Sequence, residues 1–281
     1  MSRKIELNKI MAFFTIFVNK NWTTIDGYND VLNRFGALLD VFDDDEIELT
    51  LELTDKYHWI TYNEYHTALR NLLKKLAATS LDGKKRLFLF PIIKPQDEKK
   101  IKSGHAVLYM LDSIKSSLDQ FKNIEFVVLN SFEKIKTENL KMSDQDFLIL
   151  ADDYIGSGNT LTTMLQEIAK NQSIGDKYAI FSMVIQSQAK EMLKNKNITH
   201  YNHWTLNKGI SDNYISPLLE KKVDTMKKKK KRIPRVSKFR FGYEQSEALI
   251  TLIRTPNNTF PLFWKGIKSN GEEIEAPFQR H

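Results

Sequence analysis

The sequence predicts an α/β fold in which a parallel sheet forms the core. From residue 85 onward, short and almost wholly apolar runs alternate with helical segments, which is typical of parallel strands covered on both faces. The 281 residues are enough for about two domains with a sizeable hydrophobic core. We therefore expect a helical N-terminal region over residues 1–84, the sheet core over residues 85–206, and a basic linker with a C-terminal hood over residues 207–281.

The N-terminal region shows helical periodicity and no residue set that suggests chemistry. Apolar side chains recur every three or four positions over residues 31–42 and again over residues 65–76. Residues 10–18 form a short apolar run with no small-residue cleavage site after it. This run predicts a buried helix rather than a signal peptide.

The core is predicted to alternate strands with helices. The apolar runs predict strands at residues 86–93, 124–129, 147–151, 178–185 and 201–206. We expect helices over residues 105–118, with Ser103 as N-cap, and from Thr160 and Ser187 onward. One more short strand is expected at residues 248–253.

Composition excludes several classes of site. The chain has no cysteine, which excludes disulfides, a cysteine nucleophile and zinc–thiolate sites, and fits a cytoplasmic location. No apolar run reaches the roughly 18 residues that a membrane span needs, so no membrane partner is expected. Residues 221–240 hold eleven Lys/Arg and one acid. Such a segment binds a nucleic-acid backbone or forms a solvated surface loop.

The most informative segment is FLILADDYIGSGNTLTTM, residues 147–164. An apolar strand is followed by Asp152 and Asp153 and then by a small-residue loop that opens a helix. The loop consists of Gly156, Ser157, Gly158, Asn159 and Thr160. Backbone N–H groups of such a loop, together with a helix N-terminus, bind phosphate at the carboxyl end of a strand. Two acids beside a phosphate site repel the phosphate, so their placement needs a function. Binding of sugar hydroxyls, with Mg²⁺ nearby, is such a function.

This segment resembles the phosphoribosyl-pyrophosphate (PRPP) motif of type I phosphoribosyltransferases. That motif is an apolar strand, two acids, two mostly apolar residues and a small-residue loop ending in Thr. The resemblance covers residues 86–205 and implies a phosphoribosyltransferase-like core. It implies that Asp152 and Asp153 are catalytic, hold the ribose hydroxyls and bind Mg²⁺, and that residues 156–160 hold the 5′-phosphate of PRPP or a related nucleotide.

Other landmarks of that family have candidates here. The resemblance implies that Lys102, Ser103 and Gly104, at the start of a helix, bind pyrophosphate; a plain helix N-terminus is the alternative interpretation. It also implies that the segment over residues 131–146, with its three lysines, forms a mobile cover over the site. Where this chain has Gly156, purine-salvage members carry an acidic residue that acts as a general base. Purine salvage by that mechanism is therefore not expected.

The C-terminal sequence resembles a narrower group. Residues 241–250 and 254–264 are similar to the ending of phosphoribosyltransferase-like proteins of prokaryotic conflict systems, some encoded beside retron reverse transcriptases. This implies (phospho)ribosyl transfer by an antiphage defence effector, with a reverse transcriptase and its RNA–DNA product as partners of residues 221–240. An oligomer is compatible with this reading.

Two other functions stay open. A non-catalytic module that binds a nucleotide or nucleic acid is compatible with Gly156. An S-adenosylmethionine-dependent nucleic-acid methyltransferase would explain Gly156-Ser157-Gly158, but Asp153 stands where that motif has proline, and no Pro-Pro pair occurs in the chain.

Overall fold

The first helices of the chain each turn one apolar face inward. The computed structural model describes residues 7–229, 239–269 and 272–280. The elements are helices α1 (Leu7–Asn19), α2 (Tyr28–Leu39) and α3 (Asp44–Asp55), followed by the short strand β1 (His58–Trp59). Phe13 and Phe17 of α1 are buried, whereas Ile10, Phe14 and Val18 are exposed. The expected buried helix is therefore buried along one side only, because residues three to four apart share a face, and its exposed side also carries apolar residues.

Residues 62–206 fold as a unit around a five-stranded sheet. Its elements in chain order are α4 (Tyr62–Thr79), β2 (Arg86–Pro91), α5 (Ser103–Lys115), β3 (Glu125–Val128), β4 (Asp146–Ile155), α6 (Asn159–Ile168), β5 (Tyr178–Gln186), α7 (Ser187–Asn195) and β6 (His200–Leu206). All neighbouring strands are parallel, in the order β3-β2-β4-β5-β6. The predicted parallel α/β core is confirmed.

Helices cover both faces of this sheet. The apolar side chains of α6 and α7 pack with one face of β2, β4 and β5, while α4 and α5 contact each other and the same sheet. Because α5, α6 and α7 each follow a strand along the chain, each of them starts on the side of the sheet where the strands end. The centre of that edge is the end of β4, which runs between β2 and β5.

The remaining residues form a second unit, made of residues up to Thr61 together with those from Asn207 onward. Its later elements are α8 (Leu218–Lys229), β7 (Ile250–Thr251), α9 (Pro261–Trp264), β8 (Ile267–Ser269) and β9 (Glu272–Ile274). Strand β1 pairs in parallel with β7. The core of this unit is aromatic, and the rings of Tyr57 and Phe278 stack with centroids 4.7 Å apart. Helix α4, expected in the N-terminal region, thus folds with the sheet instead.

The stretch after residue 206, predicted to be a basic linker, contains the packed helix α8, which corrects that expectation. Lys222 of α8 is 5% exposed, and its Nζ lies 2.7 Å from Oε1 of Glu52. The Tyr214 hydroxyl donates to the same carboxylate at 2.7 Å. Lys227 and Lys228 are exposed, as expected for the basic segment. The predicted nucleic-acid contact also includes residues 230–238, which lie outside the described residues.

Among the residues that the structure describes, no helix combines the length and apolar character needed to cross a membrane.

Candidate functional site

The two adjacent acids lie near the carboxyl end of the central strand, as predicted. Strand β4 continues past the expected end at Ala151 to Ile155, because its pairing with β5 continues through Asp152 opposite Ser182 and Tyr154 opposite Val184. Asp153 is 7% exposed, and Asp152 is partly buried. The acids therefore belong to the rigid sheet rather than to a loop.

Each acid is held by a side chain from a different helix. Ser103 Oγ, at the start of α5, donates to Oδ1 of Asp152 at 2.8 Å. The hydroxyl of Tyr65, in α4, donates to Oδ2 of Asp153 at 2.9 Å. The backbone N–H of Asp153 also donates to Oδ1 of Asp152, at 2.9 Å. These bonds fix the orientation of both carboxylates before any ligand binds.

The Asp152 carboxyl is costly to ionise. Desolvation by burial, together with the negative charge of Asp153, raises its pKa well above the usual range. The hydrogen bond from Ser103 acts in the opposite direction but is outweighed. A cation or a hydroxyl donor that binds here would favour the ionised form, so the pair is prepared for such a ligand.

The loop after β4 carries backbone N–H groups that no backbone carbonyl of the described residues accepts. Among hydrogen bonds of the described residues, the N–H groups of Gly156, Ser157 and Gly158 donate to no backbone carbonyl. Gly158 has φ +85°, a left-handed conformation that favours glycine, and it is the N-cap of α6. Helix α6 begins at Asn159, one residue before the expected Thr160. Free donors at a helix N-terminus are the arrangement that binds a phosphate.

The start of α5 lies very close to the sheet. A Cβ at Gly104 would be 2.9 Å from both the Ala151 carbonyl oxygen and Pro91 Cβ, so only glycine allows this approach. The helix begins at Ser103 with Lys102 as its N-cap, which corrects the predicted start at residue 105 and the N-cap role of Ser103. Ser103 instead reaches Asp152, and this brings the predicted pyrophosphate segment and the acid pair together.

Among the salt bridges of the described residues, Lys102 pairs with Asp97 and not with the acid pair. Its Nζ lies 3.4 Å from Oδ2 of Asp97, while Lys100 Nζ lies 2.7 Å from Oδ1 of the same residue. These lysines, the hydrogen bond from Lys100 first, lower the pKa of Asp97. The ammonium group of Lys102 is thus held on the loop before α5.

The segment proposed as a mobile cover is attached to the sheet unit at several points. Asn171 Nδ2 donates to the carbonyl oxygens of Ile135 and Leu140, at 2.7 and 2.9 Å. Its last residue, Asp146, is the first residue of β4. Lys136 pairs with Glu133. Among the salt bridges of the described residues, none joins a lysine of this segment to Asp152 or Asp153.

Comparison with known proteins identifies the family. The PRTase-CE family model matches residues 35–280, which is most of the chain. The chain belongs to the PRTase-CE family. The predicted phosphoribosyltransferase-like family is thereby confirmed, and its link to retron-type systems stays a prediction. A search of curated proteins finds no match to this PRTase-CE chain.

Two solved structures are similar to parts of this PRTase-CE chain. One is a hypothetical protein from Neisseria gonorrhoeae with bound ppGpp, at 12% identity and TM-score 0.37, covering 54% of this chain and 85% of that chain. The other is the hypoxanthine-guanine phosphoribosyltransferase from Schistosoma mansoni in complex with IMP. It shows 12% identity and TM-score 0.29, covering 50% of this chain and 65% of that chain.

Sequence reasoning missed Tyr65. The N-terminal region was expected to contribute no chemistry, yet this side chain from α4 is buried against Asp153. Nothing in the helical spacing of residues 65–76 marks a hydroxyl that reaches an acid 88 positions away. The one available signal is topological, since a helix that precedes a strand of a parallel sheet begins at the carboxyl edge.

Proposed function

We propose that this chain binds PRPP, or a related nucleotide, at the carboxyl edge of its sheet and transfers the (phospho)ribosyl group. The observation that carries this is the juxtaposition of two recognition elements. The carboxylates of Asp152 and Asp153 lie directly before a loop whose free N–H groups, over residues 156–158, suit a phosphate. A ribose 5-phosphate presents hydroxyls and a phosphate at opposite ends of one small molecule, which fits this pairing.

The division of roles follows from the contacts. Asp152 and Asp153 would accept hydrogen bonds from the ribose 2′- and 3′-hydroxyls, with Ser103 and Tyr65 fixing the carboxylates. The loop over residues 156–160 would hold the 5′-phosphate with backbone donors. As the bond to the leaving pyrophosphate breaks, positive charge develops at the anomeric carbon, and nearby carboxylates stabilise it electrostatically.

The residues present fit a magnesium ion that arrives with its ligand. Among the described residues no group of three or more acidic or histidine side chains could hold a metal alone. Mg²⁺ is commonly bound by one or two carboxylates together with substrate phosphates and waters. Asp152 and Asp153 would supply that protein share. Burial, and after it the negative charge of Asp153, raises the pKa of Asp152, and a bound cation would favour its ionised form. When bound, the ion would supply charge stabilisation to the leaving pyrophosphate.

The acceptor of the ribosyl group would not be recognised in the way that purine-salvage enzymes recognise a purine base. Gly156 is buried and stands where purine-salvage relatives carry an acid that acts as a base. A non-catalytic nucleotide-binding module is the second candidate function, and the same glycine favours it. Release of pyrophosphate from PRPP distinguishes the two, because a binding module would retain the intact ligand.

We place this activity in antiphage defence, with a reverse transcriptase and its RNA–DNA product as partners. The sequence resemblance to conflict-system proteins and the basic segment over residues 221–240 support this setting. Lys227 and Lys228 of that segment are exposed, and Lys227 Nζ is paired with Asp224 Oδ1 at 2.9 Å. A phosphate backbone would compete for that pair.

The first test is calorimetric titration of PRPP with Mg²⁺ into the wild-type chain and into Asp152→Asn/Asp153→Asn. We expect saturable binding to the wild type and a loss of at least about 100-fold in the double variant, because two hydrogen-bonding charged groups are removed. Asp119→Asn/Glu191→Gln is a matched control, since it removes two exposed acids from the same unit. Absence of binding to the wild type at millimolar ligand would contradict the proposal and favour a partner-dependent role.

A further inference from the structure

Three C-terminal segments of the second unit converge on one place. Thr255 Oγ1 donates to the carbonyl oxygen of Phe278 at 3.3 Å. The backbone N–H of Phe278 donates to the carbonyl oxygen of Phe263 at 2.8 Å. Arg254 precedes Thr255, Trp264 follows Phe263, and Arg280 lies two positions after Phe278. The two bonds therefore bring Arg254, Trp264 and Arg280 into one region of the surface.

Arg280 has a donor with no acceptor. Its Nε is buried and makes no hydrogen bond among the described residues. The guanidinium carbon lies 5.7 Å from the centroid of the Trp264 ring, which covers one side of the group. A buried guanidinium N–H without an acceptor is uncommon, because its loss of hydration is not compensated.

A second cation faces the same place. Arg254 is exposed, and its positive charge, after burial, is the other cause that lowers the pKa of Arg280. The salt bridges of the described residues include neither arginine. On the same C-terminal stretch, the Glu275 carboxylate is paired elsewhere, with its Oε2 3.0 Å from Arg34 Nε. Among the described residues, the two arginines thus have no salt-bridged carboxylate to offset their charge.

We propose that Arg254 and Arg280 form a phosphate-binding site in the unit made of the N- and C-terminal segments. A phosphate oxygen would accept from Nε of Arg280, and the planar guanidinium groups match a phosphate in a bidentate manner. Trp264 orients the Arg280 group, because its indole N–H is itself fixed to the Thr259 carbonyl oxygen at 2.7 Å. The ligand is a phosphate group, carried by a free nucleotide or by a nucleic-acid backbone.

The site does not depend on the proposed transferase activity. It belongs to the unit formed by the N- and C-terminal segments, whereas the acid pair belongs to residues 62–206. In the sequence, residues 254–264 were marked by their resemblance to conflict-system proteins. The structure brings Arg254, the first residue of that segment, into the same region as Arg280.

Fluorine NMR of fluorotryptophan-labelled protein tests the site locally. The chain has four tryptophans, and the Trp264 resonance is assigned with Trp264→Phe. Titration with inorganic phosphate, at constant ionic strength set by sodium chloride, should shift the Trp264 resonance saturably. Arg254→Gln and Arg280→Lys should each weaken this response at least about tenfold, since each removes part of the bidentate donor set. Arg280→Lys keeps the charge, and the melting temperature of each variant checks folding.

Lys268→Gln is the matched control, because it removes an exposed cation of β8 in the same unit. It should leave the phosphate response of Trp264 unchanged. An unmoved Trp264 resonance in the wild type, or a response that persists in Arg254→Gln and Arg280→Lys, would overturn the proposal. Titrations with AMP and with a short single-stranded oligonucleotide then identify the source of the phosphate. Tighter binding of AMP assigns a nucleotide, and tighter binding of the oligonucleotide assigns a nucleic-acid backbone.

Discussion

Strand β4 carries a buried carboxylate at one end and a partly buried one at the other, in opposite electrostatic settings. At the N-terminal end, Asp146 accepts two hydrogen bonds from Arg86, at 2.7 and 2.9 Å. It also accepts from the backbone and the hydroxyl of Ser143, at 2.7 and 2.8 Å. At the other end, Asp152 has Ser103 as its one side-chain donor among the described residues and a second carboxylate, Asp153, beside it.

The pKa values of the two acids move apart as a result. Burial opposes ionisation of Asp146, but the hydrogen bonds from Arg86 and Ser143 outweigh it and hold its pKa below the usual range. Burial and Asp153 instead raise the pKa of Asp152 well above that range. One acid is satisfied by the fold alone. The other lacks a positive partner within the described residues, which is the condition expected of a group that waits for a ligand.

Of the substitutions that test this comparison, we expect Arg86→Ala to change the free energy of unfolding most. It leaves the fully buried Asp146 carboxylate with no cation. Because the Arg86 side chain is 44% exposed and partly screened by water, we expect a loss of about 2–3 kcal/mol rather than the full cost of breaking a buried pair. Urea denaturation near neutral pH measures the free energy of unfolding directly.

The pH dependence of this loss checks its cause. The folded pKa of Asp146 is lowered, so its contribution to stability is present above the unfolded pKa of about 3.9 and is lost as pH falls through the folded value. The deficit of Arg86→Ala should therefore shrink in acid. Lys122→Ala removes an exposed cation paired with Asp119 and should change stability by less than about 0.5 kcal/mol. A deficit independent of pH would indicate lost packing rather than a lost charge partner.

At the other end of the strand, we expect Asp152→Asn to increase the stability of the protein rather than to decrease it. The folded pKa of Asp152 is raised, so the folded state binds more protons than the unfolded state, and stability falls as pH rises above the unfolded pKa. An asparagine Oδ1 can keep the bonds from Ser103 and from the Asp153 backbone. We expect the ligand-free variant to be more stable near neutral pH by about 1–2 kcal/mol, which raises the melting temperature by several degrees.

Calorimetry of the variant at neutral and acid pH tests this sign. The advantage of Asp152→Asn should disappear in acid, where the wild-type carboxyl is already protonated. Asp144→Asn, an exposed acid of the same unit, is the control and should be nearly neutral at both values. If Asp152→Asn were destabilised near neutral pH, the carboxylate would be a structural group like Asp146, and the contrast between the two ends would not hold.

The same strand shows what the sequence can predict. The apolar run over residues 147–151 identified β4 because a strand buried on both faces carries few polar residues. The acids and the loop over residues 156–160 marked the carboxyl edge because phosphate recognition needs small residues at a helix start. Both signals are local, and both elements were found within a few residues of their predicted limits.

The parts that escaped prediction depend on distant residues. Tyr65 contacts Asp153, Ser103 contacts Asp152 instead of capping its helix, and Lys222 is buried because Glu52 lies opposite it. A lysine-rich stretch predicts an exposed, solvated segment unless the acids that pair with its lysines are known. Likewise, β7 is only two residues long, since its one neighbour is the two-residue β1 from the other end of the chain. Periodicity carries no information on such pairings.

The smallest effect concerns the one side-chain donor that the structure gives Asp152. Ser103→Ala removes a bond that favours the ionised carboxylate, so the pKa of Asp152 should rise further. The stability change should be about 1 kcal/mol or less. Carbon NMR titration of labelled aspartate side chains follows the Asp152 resonance, assigned with Asp152→Asn. Ser116→Ala, which removes a hydroxyl from the end of the same helix, should leave that titration unchanged. If Ser103→Ala also left it unchanged, the contrast between the two ends of β4 would rest on burial and Asp153 alone, and Ser103 would have no part in positioning the acid.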